Sequence, residues 1–267
     1  MSLFHLALVA IIQGLTEFLP VSSSGHLALV PHLTNLNDQG QAIDVAVHVG
    51  TLFAVILYFR ADVSEAISGV PRLLQGKVDT QAASLAFALL VATIPVVIFG
   101  TVLFLTGLSQ VLRSVAVIGW AMLIFGFVLY WTDQRGQVSK TKEHWTPRDA
   151  FIMGLWQAIA LIPGTSRSGA TISGARALGY DRENAARLAM LMSIPTIAVS
   201  GIAVSFQAFA TVNLQLLRDG AIAAVLAFIS ALLALGLMMR LLKSVSFTPY
   251  VIYRIIVGFI LLGIAYS

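Results

Sequence analysis

Gln13-Gly-Leu-Thr-Glu17-Phe-Leu-Pro20-Val-Ser22-Ser23-Ser24-Gly25-His26 is an apolar stretch that breaks in its middle. The chain repeats the device at Gln157-Ala-Ile-Ala-Leu-Ile-Pro163-Gly164-Thr165-Ser166-Arg167-Ser168-Gly169. Each copy runs from Gln through a short apolar turn to Pro, then Ser or Thr, then Ser-Gly, and one residue of slippage aligns them. Proline removes a backbone donor and ends a helix, and serine caps the next one. The two surrounding segments, Leu6–Val30 and Phe151–Leu178, are therefore read as re-entrant helical hairpins. Irregular backbone of this kind is tolerated at membrane depth where it lines a cavity.

Outward from each hairpin lie three longer apolar runs. They are Asp44–Phe59, Ser84–Thr106 and Ser114–Trp131 in the first half, and Leu188–Phe209, Ala221–Met239 and Val251–Tyr266 in the second. A spanning helix needs about 20 apolar residues. With an odd number of spans per half, the second copy must be inverted across the membrane. The fold expected is an all-α polytopic integral membrane protein with inverted-topology repeats, six transmembrane helices and two re-entrant hairpins. It forms one membrane domain (1–267), with a first repeat at 1–132, a charged linker at 133–149 and a second repeat at 150–267. The linker holds seven charges in seventeen residues.

Composition agrees. Of 267 residues 58% are hydrophobic and 10% charged, against roughly 25% charged in soluble domains. Mean hydropathy is +0.90. An ordinary soluble enzyme and a disordered chain are excluded. With no cysteine there is no disulfide framework, thiolate nucleophile or metal–sulfur site. The net charge of +4 is read as Lys and Arg retaining cytoplasmic loops, not as a nucleic-acid surface. Met1–His5 lacks Lys and Arg, and Glu17 and Pro20 interrupt the following run, so no cleaved signal peptide is expected. Placing the 60–83, 133–149, 176–187 and 240–248 connections inside puts twelve of the sixteen Lys and Arg there. The first hairpin then opens outward and the second inward, their tips meeting near the midplane.

Ionisable groups at membrane depth are costly, which makes them functional candidates. Glu17 and Asp44 are the carboxylates in or beside apolar segments, His26 and His48 the histidines, Arg167 and Arg254 the cations. Gln13 and Glu17, four apart, share a helix face. Two capped helix starts, several hydroxyls and an Arg fork make an anion site suited to phosphate. Glu17 beside that anion calls for a bridging Mg²⁺ or Ca²⁺. His26 is the proton-transfer group, and Ser23 a candidate nucleophile with His26 or Glu17 as base. Plainer readings stand beside these. The serines and glycines could simply allow close helix packing. Arg254 could pair with Glu17 or Asp44, and Asp44 and His48 could form a local polar pair.

At these residues the chain resembles the bacitracin-resistance undecaprenyl-diphosphate phosphatases. Their first motif, Glu/Gln-x-x-x-Glu followed by Pro-Val-Ser-Ser-x-Gly-His, is matched by Gln13, Glu17 and Pro20 to His26. Their second, Pro-Gly-x-Ser-Arg-Ser-Gly-Ala-Thr, is matched by Pro163 to Thr171, and a closing Pro-x-x-x-Tyr-Arg by Pro249 to Arg254. The resemblance implies hydrolysis of undecaprenyl diphosphate to undecaprenyl phosphate, the carrier lipid for peptidoglycan and other envelope polymers, and inorganic phosphate. It implies a divalent cation, Mg²⁺ or Ca²⁺, a multi-pass place in the bacterial inner membrane, and a site facing the periplasm. Bacitracin, which sequesters the diphosphate lipid, would be countered by the enzyme. Carried over residue by residue, Glu17, Ser23, His26 and Arg167 are catalytic. Ser22, Gly164, Thr165, Ser166, Ser168 and Arg254 bind substrate. Glu17 and Gln13 hold the metal, though Gln at 13 removes one possible carboxylate. Asp44 and His48 support the site from behind. The partners expected are the polyprenyl diphosphate lipid and the bilayer, with a homodimer possible and no nucleic acid.

Three rivals remain. A lipid-phosphate flippase would share inverted repeats and broken helices. A phosphatidic-acid-type phosphatase needs Lys-x₆-Arg-Pro, which this sequence lacks, and a His six residues after Arg167, where Ser173 stands. A non-catalytic scaffold leaves Glu17, His26 and Arg167 unexplained.

Overall fold

A computed structural model describes residues 1–34, 39–135, 140–208 and 214–267. The elements, in chain order, are α1 (Leu3–Phe18), α2 (Ser23–Thr34), α3 (Gln41–Tyr58), α4 (Arg60–Leu74), α5 (Gln81–Thr106), α6 (Leu108–Val111), α7 (Val115–Arg135), α8 (Pro147–Ile159), α9 (Arg167–Ala177), α10 (Arg182–Ala208), α11 (Leu214–Leu241) and α12 (Thr248–Tyr266). A 3₁₀ turn over Lys142–His144 precedes α8. Among the described residues six helices, α3, α5, α7, α10, α11 and α12, are long and apolar enough to cross a membrane. They coincide with the six apolar runs of the sequence, except that Phe209 lies outside the described residues. The chain is a multi-pass membrane protein.

Local chemistry sets the boundaries. The Thr80 hydroxyl caps α5, and Gly107, with φ of 71°, ends it in the left-handed region. Thr146 caps α8, with Pro147 in the first turn, where its missing donor costs nothing. Leu90, Ile94, Phe104, Leu237 and Ile256 stay exposed, as side chains facing lipid must. The 60–83 connection is largely the helix α4 and not an irregular loop. Gly69 there lies so close to α5 that a Cβ would meet Ala82 O at 2.2 Å.

The two halves are interleaved. The first helix of each hairpin packs on a span of the other half, α1 on α11 and α8 on α5. Gly154 permits the second contact, since a Cβ there would meet Ala92 O at 2.5 Å. Between the halves, α7 packs on α12 and α3 on α10. The broken centres of both hairpins are thereby brought together.

The segment read as a linker is tied into the bundle by buried charges. Asp133 lies in the last turn of α7 and accepts from Arg176 Nε at 3.2 Å, Arg182 Nε at 2.8 Å and Phe247 N at 3.2 Å. Asp149, in α8, accepts from Lys140 Nζ at 2.8 Å and Tyr180 Oη at 2.7 Å. Burial, and then that carboxylate, push the Tyr180 phenol far up. Asp62, at the start of α4, accepts from Lys142 Nζ and Arg187 Nη2, both at 2.8 Å. Burial alone would raise its carboxyl, but the hydrogen bonds and charges of Lys142 and Arg187 hold it below its ordinary value. These pairs form because a carboxylate this enclosed must be compensated.

Candidate active site

Both hairpins break in the same way. After α1 the chain turns through Ser22 at φ 71°, and after α8 through Gly164 at φ 92° and Ser166 at φ 71°. The Ser22 hydroxyl accepts from Gly25 N at 3.4 Å, and the Ser166 hydroxyl from Gly169 N at 3.1 Å. Ser22 and Ser24 hydroxyls are 3.0 Å apart, and Ser166 and Ser168 hydroxyls 3.1 Å. The capping serines therefore match without slippage. Pro20 stands opposite Gly164, and it is the proline of the second copy, Pro163, that is displaced by one.

The two turns dock on each other. Gly164 N donates to Ser24 Oγ at 3.1 Å, and Ser168 Oγ donates to the Leu19 carbonyl at 3.0 Å. Arg254, wholly buried, sits behind both. Its guanidinium donates to the carbonyls of Pro20 at 3.3 Å, Gly164 at 3.0 Å and Thr165 at 2.9 Å, with Met122 O at 3.3 Å as well. The expected ion pair of Arg254 with Glu17 or Asp44 does not form. Its expected substrate contact is also displaced, because its donors are taken up by backbone and it has no surface. A planar fork with five donors suits such a cluster of carbonyls.

In front of the docked turns lies a polar cluster centred on Glu17. Glu17 Oε1 accepts from Arg167 Nη2 at 2.6 Å. Glu17 Oε2 accepts from Ser23 Oγ at 2.8 Å and Gln13 Nε2 at 2.8 Å. Arg167 Nη1 also donates to the Ser193 carbonyl of α10 at 3.3 Å. His48 joins from α3: its Nδ1 meets the Asp44 carbonyl at 2.7 Å and its Nε2 meets Gln13 Nε2 at 3.1 Å. A carbonyl only accepts, so Nδ1 carries the proton and Nε2 accepts from Gln13. His48 Nε2 is 3.9 Å from Glu17 Oε2. The Asp44–His48 pair therefore divides. His48 touches the cluster, whereas the Asp44 carboxylate accepts from Gln39 at 2.7 Å.

His26 stands one turn beyond Ser23 in α2. Its Nδ1 donates to the Ser22 carbonyl at 2.7 Å, and its Nε2 is 2.6 Å from Tyr253 Oη. The rings stack with centroids 5.4 Å apart and 7° between planes. Tyr253 is not among the residues the sequence singles out, although it precedes Arg254 in the closing motif. A tyrosine on a lipid-exposed helix looks like an interface anchor, and only packing reveals its partner.

Glu17, Ser23, His26, His48 and Arg167 are partly exposed, whereas Ser22, Gly164, Thr165, Ser166 and Ser168 are buried. The hydroxyls of Ser22, Ser166 and Ser168 are committed to caps and docking. Thr165 Oγ1 is buried without a partner among the described residues. Of these second-hairpin residues, Arg167 is the one that is partly exposed. Chemically, a serine hydroxyl hydrogen-bonded to a carboxylate is a nucleophile with its base. The neighbouring guanidinium can stabilise developing phosphate charge.

Among the described residues no three His, Cys, Asp or Glu converge as a metal cage. The donors present are the Glu17 carboxylate and Gln13 Oε1, which is buried without a hydrogen-bond partner among the described residues. That set fits a hard cation bound through one carboxylate, substrate phosphate oxygens and water.

A family described as bacitracin resistance protein BacA matches residues 6–260. The undecaprenyl-diphosphatase of Jannaschia sp. (strain CCS1) is 67% identical over 267 residues, the whole of both chains. That of Dinoroseobacter shibae is likewise 67% identical over the whole of both. The protein named undecaprenyl-diphosphatase 1 of Rhodospirillum rubrum is 43% identical, covering all of this chain and 96% of its own.

Proposed function

The chain belongs to the bacitracin resistance protein BacA family, and from that premise, and from relatives named undecaprenyl-diphosphatase, we propose that it hydrolyses undecaprenyl diphosphate to undecaprenyl phosphate and inorganic phosphate. The observation that carries the mechanism is the Ser23–Glu17–Arg167 contact chain across the two hairpins.

Arg167 exchanges part of its contact with Glu17 for the terminal phosphate and neutralises it. Ser23 Oγ attacks that phosphorus and Glu17 takes its proton. The bridging P–O bond breaks, its electron pair leaving on the lipid phosphate. Glu17 passes that proton to the leaving lipid phosphate and is again a carboxylate. It then takes a proton from the water that attacks the phosphoserine and returns it to Ser23 Oγ as inorganic phosphate leaves. His26 is the second proton-transfer group, held by Ser22 O and Tyr253. Glu17 and Gln13 Oε1 would hold Mg²⁺ or Ca²⁺, which when bound supplies charge neutralisation at the diphosphate. Positioning and charge dominate phosphoryl transfer, which is why docked, rigid turns matter here. The enzyme resides in the bacterial inner membrane with this site open to the periplasmic leaflet. The Lys- and Arg-rich connections on the other side support that orientation. Renewed supply of the carrier lipid counters bacitracin.

The test is phosphate release from undecaprenyl diphosphate by the detergent-purified protein, with Mg²⁺, Ca²⁺ or EDTA, beside His26→Ala and Arg167→Ala. Cation-dependent release lost in both variants is expected. No release from folded wild-type protein overturns the reading in favour of a flippase, which would translocate lipid phosphate without cleaving it.

A further inference from the structure

The ends of α3 and α11 and the starts of α4 and α10 line an open cavity of about 390 Å³ that the phosphatase chemistry leaves unused. Four cations line it, Arg60, Arg187, Arg240 and Lys243, against two carboxylates, Asp62 and Glu183. Asp62 is already compensated by Arg187 within the cavity and by Lys142 outside it. Arg60, Arg240 and Lys243 are exposed and form no ion pair or side-chain hydrogen bond among the described residues. The cavity therefore carries uncompensated positive charge.

Loop retention asks only that Lys and Arg lie on one side of the membrane. It does not ask that cations from α4, α10, α11 and the turn after α11 share one concavity. The remaining walls indicate what fills it. Tyr58 and Phe59, ring to ring at 4.9 Å, lie where helices leave the bilayer, the depth that aromatic side chains favour. Gly236 and Met239 continue the lining along α11 toward the hydrocarbon. A cationic mouth above an apolar wall matches a phosphate that bears acyl chains. Free phosphate shares the charge but has no use for the wall.

We propose that this cavity binds the phosphate headgroup of an anionic bilayer phospholipid. It is distinct from the Glu17 cluster yet stands on the same helices. Arg187 precedes Ser193, whose carbonyl holds Arg167, by about 9 Å along α10, and Tyr58 follows His48 by about 15 Å along α3. Basic pockets between spanning helices on the positively charged side recognise lipid headgroups in this way.

The test is native mass spectrometry of the full-length protein in neutral detergent, titrated separately with phosphatidylglycerol, phosphatidylcholine and inorganic phosphate. Wild type is expected to retain phosphatidylglycerol over phosphatidylcholine. Arg60→Gln/Arg240→Gln/Lys243→Gln is expected to weaken that retention on the order of a hundredfold, roughly fivefold per cation. Arg113→Gln/Arg218→Gln, which removes exposed cations elsewhere, should retain the lipid as wild type does. Phosphate release should persist in the triple variant, so this inference and the phosphatase reading fail separately. Equal retention by the triple variant, equal retention of the two lipids, or binding of inorganic phosphate without lipid each overturns the proposal. If the triple variant loses phosphate release, the three single variants carry the test at about fivefold each.

Discussion

Arg167 Nη2 lies 2.6 Å from Glu17 Oε1, although 150 residues separate the two in sequence. The contact joins the two hairpins in front, as Arg254 joins them behind. Both side chains are largely buried, at 16% and 8% exposure. Removing one partner of such a pair strands a charge, at a cost of about 3–5 kcal/mol, whereas removing both does not. Arg167→Ala should therefore unfold at lower temperature in detergent than Glu17→Gln/Arg167→Ala, with both inactive. A double variant no more stable than Arg167→Ala would show that the pair does not bridge the hairpins.

Tyr253→Phe keeps the ring stack on His26 and removes the donor at Nε2. If Tyr253 positions His26 for proton transfer, kcat should fall about tenfold with KM little changed, a fraction of what a whole general acid or base contributes. Tyr253→Ala, which removes the stack as well, should fall further. Steady-state kinetics on the three proteins check this, and an unchanged kcat in Tyr253→Phe removes the tyrosine from the mechanism.

Arg254→Lys retains the charge and loses the fork. Hydrogen bonds from charged groups are worth about 1.5–3 kcal/mol each, and several to Pro20, Gly164, Thr165 and Met122 carbonyls would go. A loss of about 3 kcal/mol or more in stability is expected, read as a large drop in thermal midpoint. A raised KM with unchanged stability would instead return Arg254 to the substrate.

Asp62 sets an acid limit. Its carboxyl in the folded protein lies below the ordinary value of 3.8, because Lys142 and Arg187 outweigh burial. The stabilisation is thus complete above about pH 4 and is lost as pH falls through the lower, folded-state value. Thermal midpoints measured from pH 6 down to pH 3 should decline at the acid end in wild type and less steeply in Asp62→Asn. Parallel declines would show that another group governs acid unfolding.

The six spans were legible because a bilayer imposes a length of apolar residues whatever their neighbours, and Asp44 to Tyr266 carries six such runs. The breaks were legible too. Pro20 and Pro163-Gly164 cannot continue a helix, and the serines after them cap the next, so Ser23 and Arg167 were placed at helix starts from local chemistry alone. Local chemistry also misled. The charges of 60–83 hid α4, whose amphipathic turn needs a bundle to lie on. The burial of Asp133 and Asp149 within the charged linker was not legible, because the arginines and tyrosine that bury them come from α9, α10 and the turn between.

Partner choice was decided by tertiary structure. Arg254 could as well have met Glu17 or a substrate, and packing of α12 on α7 set it on the carbonyls of both turns. His48 reached Gln13, Tyr253 found His26, and Glu17 became the carboxylate bonded to Ser23, because of how α1, α2, α3 and α12 dock. Helix length, breaks and caps depend on residues within a turn or two, which a sequence shows directly. A hydrogen bond between groups far apart in the chain depends on how whole helices dock, and only the folded bundle determines that.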